Sequence, residues 1–250
     1  MIDALLNDKY ALRVPVDRAR QYLVDGGWET ERLDAMHQHI GPGDRVFYVG
    51  AEQGEMPALC ASWGAEVALF EPTPTMWPRM EAIWEENNLP TPWTWPGFVS
   101  DKDQFRAERA SEVYGIQEYL EADFHLGWPR QAPIAGLHGF KELQHEADMY
   151  PQIRLDTAAD MWGPPTVIAF DVEGSEWSVL LGALQTLHAY RPKLFGSIHP
   201  DFMRQSWAQD SDDFRDWIQR IGYRETILAH KHEIHVLYES VDTVFTGAEL

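Results

Sequence analysis

The chain has 250 residues, 44% of them hydrophobic, enough for one well-buried α/β core, and no Pro/Gly/Ser-rich linker divides it. Its 40 acidic against 20 basic side chains give a net charge of -20, a field that repels phosphate backbones and anionic membrane surfaces and argues against nucleic acid and membranes as partners. The single Cys60 allows no internal disulfide, and neither a secretory segment nor an apolar run near the roughly 20 residues of a membrane span is present, so a soluble, cytoplasmic protein is expected.

Residues 1–44 read as an N-terminal helical extension or cap. Its clearer helix covers 30–40, with Leu33, Met36 and Ile40 on one side and Gly41-Pro42-Gly43 as the stop. The remainder, 45–250, reads as one domain. Val46-Phe47-Tyr48-Val49 is an apolar strand that runs into Gly50-Ala51-Glu52-Gln53-Gly54. Gly50 lacks a Cβ and so lets the backbone turn sharply and approach a ligand, while Gly54 lets the next helix start close to it. That helix covers 55–63, with Pro57 in its first turn and Gly64 at its end.

A second apolar strand, Val67 to Phe70, is closed by Glu71-Pro72. A carboxylate at that strand end can accept two hydrogen bonds from the vicinal hydroxyls of a ribose. Since only Gly50-x-x-x-Gly54 is present, the G-x-G-x-x-G fingerprint of a pyrophosphate cradle is missing. A cofactor with a ribose but no phosphate, such as S-adenosylmethionine, fits better than NAD.

Met76, Met80, Ile83 and Trp84 mark the next helix, stopped at Asn87-Asn88, and 93–100 reads as a third strand closed by Ser100-Asp101. Residues 102–150 show no clean period and read as an insertion. A fourth buried strand at 167–170 leads into Asp171-Val172-Glu173-Gly174-Ser175-Glu176, placing paired carboxylates at the sheet edge where open α/β folds bind ligands. Then come a helix over 177–187, a fifth strand over 194–198 ending in His199, and an amphipathic helix around Phe214, Trp217, Ile218 and Ile221, capped by Asp210 or Ser211. Segments 226–229 and 234–238 form a terminal hairpin. His230, His232 and His235 read as a solvated turn of that hairpin. Among the 11 tryptophans, Trp93, Trp95, Trp128 and Trp162 lie near loops or strand ends and are open to substrate contact.

Several of these segments, in order, resemble the FkbM-type family of S-adenosylmethionine-dependent methyltransferases. They are Val49-Gly50-Ala51-Glu52-Gln53-Gly54, Phe70-Glu71-Pro72-Thr73-Pro74, Leu155-Asp156, Asp171-Val172-Glu173-Gly174-Ser175-Glu176, and Arg191-Pro192 with Ile198-His199-Pro200. The resemblance implies a Rossmann-like, seven-stranded, mostly parallel sheet with helices on both faces and an antiparallel C-terminal hairpin, and O-methyl transfer as the activity. It implies that Gly50, Ala51, Glu52 and Gly54 line the methionine part of S-adenosylmethionine, that Glu71 holds the ribose, that Ser100 and Asp101 sit near the adenine, and that Asp171 lies close to the methyl. Against the family pattern, Tyr48 replaces an Asp, Glu52 an Asn, Ala169 a Lys and Ser197 a Glu. The Tyr48 and Ser197 changes remove two acids from near the expected pocket.

Methyl transfer to a hydroxyl needs alignment, and it needs a base or a metal to take the proton. His199 is the first expected base because imidazole titrates near neutral pH, and Glu173 is the second. No metal is expected; Asp171, His199 and Asp201 are the set across adjacent strand ends that could hold a divalent ion such as magnesium. The expected acceptor is a sugar or other small polar metabolite. A rival reading is a catalytically silent nucleoside-binding or assembly protein that keeps the fold. The sequence carries no sign of oligomeric state.

Overall fold

The computed structural model of the protein describes residues 1–23, 27–111, 116–129 and 150–241. Much of the insertion expected at 102–150 lies outside the described residues.

The chain opens with a hairpin, β1 (Ile2–Leu6) against β2 (Tyr10–Val14), followed by α1 (Val16–Gln21) and α2 (Thr30–His39). The helix over 30–40 is as expected, but the hairpin replaces the helical character expected before it. Asn7 and Asp8 make its turn in the left-handed region, at φ 51° and 56°, which their short polar side chains tolerate better than other residues.

The central sheet is built from β3 (Arg45–Val49), β4 (Glu66–Phe70), β5 (Trp93–Trp95), β9 (His125–Leu126), β11 (Val167–Asp171), β12 (Lys193–Ile198), β13 (Tyr223–His230) and β14 (Ile234–Ser240). Its spatial order is β13-β14-β12-β11-β3-β4-β5-β9. The strands from β12 to β5 are parallel, whereas β14 and β13 fold back antiparallel as the expected terminal hairpin. An eighth strand, the two-residue antiparallel edge β9, is added to the seven expected.

Outside this sheet, β6 (Phe98–Val99) pairs with β10 (Gln152–Ile153), and β7 (Arg106–Ser111) with β8 (Ile116–Glu121). The single strand expected over 93–100 therefore splits. Pro96 has no N–H for the ladder, and a Cβ on Gly97 would lie 2.7 Å from the Pro151 carbonyl.

Helices cover both faces. On one, α2, α3 (Glu55–Ser62) and α4 (Trp77–Glu86) pack Leu33, Met36, Leu59, Met80 and Ile83 against Val46, Tyr48, Leu69 and Ala169. On the other lie α5 (Leu155–Trp162), α6 (Glu176–Leu181), α7 (Leu184–Tyr190), α8 (Pro200–Trp207) and α9 (Ser211–Arg220), with Leu155, Leu180, Met203 and Phe214 against Phe47, Phe70, Ile168 and Phe170. This two-sided burial is why the parallel strands read as continuous apolar runs. The helix expected over 177–187 is broken at Gly182-Ala183. The buried Asp156 carboxylate accepts from the Gln185 and Thr186 amides at 3.1 and 2.8 Å, which caps the N-terminus of α7 from another helix. Asp210 caps α9 by accepting from the Asp212 amide at 2.8 Å.

Among the described residues no helix is long and apolar enough to cross a membrane. Cys60 is buried, and burial pushes its thiol pKa up to about 12.

Candidate functional site

From β3 the chain winds toward β4 and β5, and from β11 toward β12, so the strand order reverses between β3 and β11. A crevice at the carboxyl ends of the strands is expected at such a switch point. A cavity of about 420 Å³ opens there, within the range of small-molecule sites. Its wall takes Gly50, Ala51 and Glu52 from the end of β3, Glu71 from β4, Asp171 and Glu173 from β11, and His199 from β12. Arg18, Tyr22, Trp28 and Glu29 come from the N-terminal segment, and Glu233 from the terminal hairpin. A larger, shallower depression lined by Lys9, Asp34, His37 and Trp63 lies on the outer side of α2, away from the strand ends.

Gly50 has φ 77°, and a Cβ built on it would stand 1.9 Å from the Asp171 carbonyl oxygen. Only glycine fits where β3 and β11 are this close. The Gly50 and Ala51 amides both donate to the Phe70 carbonyl, at 2.9 and 3.2 Å, tying the turn to β4. Gly54 serves the helix packing, since a Cβ there would meet the Met80 side chain at 2.6 Å, and it does not line the cavity.

Glu71 is 2% exposed. Its Oε2 accepts from the Glu52 amide at 2.9 Å and its Oε1 from the Thr73 amide at 2.8 Å. A carboxylate has about four lone-pair sites, so two remain for a ligand once the backbone has fixed the group. Burial raises its pKa, and the two amides oppose that shift.

Among the described residues, seven carboxylates line the cavity: Glu29, Glu52, Glu55, Glu71, Asp171, Glu173 and Glu233. The pocket is thus rich in acid despite the Tyr48 and Ser197 replacements, because α2, α3 and the terminal hairpin supply carboxylates of their own. Glu29, Glu52 and Glu173 hold φ at 46°, 48° and 51°, a region that costs a non-glycine residue about 1–3 kcal/mol and clusters at ligand sites. Burial pushes the Glu52 carboxyl up to about 7, with Arg18 opposing and Asp171 adding to the shift. Glu173 is also raised, first by burial, with His199 opposing. Glu55 is paired with Arg18.

His199 departs from its expected role. Nδ1 lies 2.7 Å from Glu176 Oε1, while Nε2 faces Glu233 Oε2 at 3.0 Å, Asp171 Oδ1 at 3.6 Å and Glu173 Oε2 at 3.7 Å. Burial opposes charging the ring, yet Glu176, Glu233 and Asp171 outweigh it and carry the pKa up to about 11. These carboxylates thus favour the charged ring, which is less suited to accepting a proton than the neutral imidazole expected from its residue type. Asp201 does not join the candidate metal set: it is exposed at the start of α8, 3.6 Å from Arg204. Glu233 stands in that place, grouped with Asp171 and His199. Ser100 is buried and Asp101 exposed, and neither lines the cavity, whereas Gly97, Phe98 and Val99 do.

Four important residues escaped the sequence reading. Arg32, 0% exposed, reaches from α2 under the strand ends. Its Nη1 donates to Glu29 Oε2 at 2.8 Å, Ser197 Oγ at 2.9 Å and Asp171 Oδ2 at 3.0 Å. Glu29, Glu176 and Glu233 complete the group. Glu176 ends a segment already singled out, and Glu233 sits within the histidine cluster read as a solvated turn. His232 is indeed exposed there, but Glu233 and His235 are buried. Trp93, Trp95, Trp128 and Trp162 pack against other aromatic rings and none lines the cavity, which instead takes Trp28.

A sequence model of the Methyltransferase FkbM domain matches residues 49–225. No curated protein matches the chain. Among solved structures, the methyltransferase FkbM from Methylobacillus flagellatus KT is similar at TM-score 0.50 and 16% identity, over 83% of this chain and 50% of that one. The chain therefore spans about half the length of that relative. A precorrin-6y C5,15-methyltransferase from Geobacter metallireducens has TM-score 0.48 and 7% identity over 92% and 94% of the two chains. A magnesium protoporphyrin IX methyltransferase from Synechocystis, solved with bound SAM, has TM-score 0.42 and 14% identity over 90% of each. The match of residues 49–225 runs from the end of β3 into the terminal hairpin, more than half of the chain, and the chain belongs to the FkbM methyltransferase family.

Proposed function

We propose that the protein transfers a methyl group from S-adenosylmethionine to a hydroxyl of a sugar or other small polar metabolite. The observation that carries this reading is Glu71, a buried carboxylate at the end of β4 whose two oxygens are pinned by the Glu52 and Thr73 amides at the wall of an acid-lined cavity. Two oxygens held this way suit the vicinal hydroxyls of a ribose. The charge of the cavity points to the same cofactor. Seven carboxylates favour a ligand carrying a sulfonium and an ammonium, and they repel the pyrophosphate of NAD.

In the reaction the methyl carbon–sulfur bond breaks as the carbon–oxygen bond forms, and the hydroxyl proton leaves to a carboxylate lining the cavity. Glu173 is placed for this, because burial has raised its proton affinity without removing it from the cavity wall. The remaining residues align the two reactants.

Calorimetric titration with S-adenosylmethionine and S-adenosylhomocysteine, with NAD as control, tests the cofactor. Both sulfur nucleosides bind and NAD does not, and Glu71→Ala weakens binding by about 1–3 kcal/mol, the range for losing charge-assisted hydrogen bonds. An unchanged dissociation constant in the variant removes Glu71 from the site. Release of S-adenosylhomocysteine in an acceptor screen starting with sugars separates an enzyme from a silent member of the fold.

Glu52 gives the same titration a second readout. With its carboxyl pKa up at about 7, above the ordinary 4.5, the folded state holds a proton the unfolded chain has lost, so this group costs stability progressively as pH rises between those values. A cationic cofactor favours the ionised form. Near pH 7 the binding enthalpy therefore depends on the ionisation enthalpy of the buffer, because the proton is released on binding, and Glu52→Gln removes that dependence. A buffer-independent enthalpy in the parent protein excludes Glu52 from contact with the cofactor's charge.

A further inference from the structure

Beside the glycine turn, the acid-lined cavity carries a guanidinium. Arg18, from α1, is the one lysine or arginine that lines it among the described residues. Its Nε donates to Glu55 Oε1 at the start of α3, and its Nη1 to Gln21 Oε1 one turn along α1. Among the described residues these two bonds fix the plane of the fork and leave Nη2 and the second Nη1 hydrogen for a ligand. The Arg18 side chain is 14% exposed and that of Glu55 3%, so the pair is held in the wall. We propose that Arg18 binds the carboxylate of the amino-acid end of S-adenosylmethionine, and so selects the whole cofactor over nucleosides that lack this carboxylate.

The inference rests on the methyl-transfer reading for its ligand. It adds a residue that no motif of the family marks, since the matched region begins at residue 49. Charge carries the argument. The cofactor has two cationic groups, a sulfonium and an ammonium, and one anion. The carboxylates of the cavity suit the first two and oppose the third, because like charges a few ångströms apart in a partly buried site repel strongly. An amino-acid carboxylate is accommodated there where a cation meets it, and a guanidinium does so with two parallel N–H bonds. Glu55 takes the Nε of Arg18, so it orients the fork without occupying the Nη2 end.

Position agrees with charge. Glu71 marks the ribose, and its Oε2 is tied to the Glu52 amide at 2.9 Å. From there the wall continues through Gln53 to Glu55, the partner of Arg18. Burial opposes the charge on Arg18, and Glu55 and then Glu52 restore it, so the Glu52 carboxyl lies within electrostatic reach of the guanidinium. Adjacent Glu52 and Arg18 thus offer opposite charges to the ammonium and the carboxylate of one amino acid. A second contact holds α1 against the turn: Arg79 Nη1 lies 3.5 Å from Asp17 Oδ2 and donates to Gln53 Oε1.

Calorimetry of the full chain tests this by comparing S-adenosylmethionine with its decarboxylated form, which keeps the sulfonium and the amine. The wild-type protein prefers the intact cofactor by at least about tenfold, as expected for a charge-assisted pair of hydrogen bonds. Arg18→Met removes that preference. It weakens the intact cofactor by at least about tenfold and leaves the decarboxylated form as tight or tighter, because deleting a cation from an acid cavity favours the more cationic ligand. A role confined to pairing with Glu55 produces the other pattern, in which both ligands shift together and the preference survives. Arg18→Met combined with Glu55→Gln removes both buried charges, so the comparison stands even where the single variant unfolds. Circular dichroism melts establish that the variants are folded. A preference retained by the folded double variant, or none in the wild type, overturns the assignment of Arg18 alone. Binding of neither nucleoside by the wild type overturns the methyl-transfer reading and this inference with it.

Discussion

Replacing Arg32 by alanine lowers the stability of the protein by about 3–5 kcal/mol, the range for removing one partner of a buried ionic network. The guanidinium is 0% exposed and its Nη1 serves Glu29, Asp171 and Ser197 from 2.8 to 3.0 Å. Without it, two carboxylates stay behind with less compensation, and a buried charge lacking a partner is costly whatever fills the space. Volume is therefore secondary. Arg32→Met, which keeps most of the side chain's bulk, remains strongly destabilised, and adding Asp171→Asn recovers part of the loss by removing one stranded charge. Arg32→Lys also falls short, since a single ammonium cannot copy a planar fork. Urea unfolding midpoints measure all four variants. A loss below about 1 kcal/mol for Arg32→Ala contradicts the network, because that is the value of an exposed pair.

The second large effect is at Gly50. Gly50→Ala places a Cβ 1.9 Å from the Asp171 carbonyl oxygen and forces alanine to φ 77°. Neither strain has an easy outlet, because the obstacle is backbone of the adjacent strand. The turn must move away from β11, breaking the amide bonds from Gly50 and Ala51 to Phe70 and displacing Glu52 from Glu71. The expected result is a loss of about 3 kcal/mol or more, together with loss of S-adenosylmethionine binding. Gly54→Ala provides the contrast. Its φ of 93° is also unfavourable, but its Cβ meets the flexible Met80 side chain at 2.6 Å, so it destabilises less and leaves cofactor binding closer to normal. Thermal melts and calorimetry on the pair decide the matter, and equal effects would mean that strand separation is not what Gly50 protects.

The departures from the family pattern acquire a physical sense in the sheet register. Tyr48 pairs with Ala169, and Asp171 with Ser197, on adjacent strands. Where the resemblance implies Asp, Lys and Glu at 48, 169 and 197, this chain has two neutral side chains and a phenol. Arg32 supplies the cation from α2 instead, and the Ser197 hydroxyl accepts from it. The exchange was invisible along the chain because Arg32 and its partners are 139 and 165 residues apart.

The sequence by itself determined the parallel strands, their order of appearance, the glycine turn after β3, and the carboxylates at 71, 171 and 173. Those features are local: strands buried on both faces must be apolar throughout, and a ligand-binding edge must follow them with glycine or acid. Tertiary structure alone decided which other side chains arrive at that edge. The N-terminal hairpin, the split of the strand over 93–100, and the breaks and caps of α6 and α7 depend on contacts with distant backbone. So does the character of His199. Its residue type promised a neutral base, but carboxylates from β11, α6 and the terminal hairpin favour its charged form. Titration behaviour is set by what lies within a few ångströms in space, and a linear spacing motif records only neighbours along the chain.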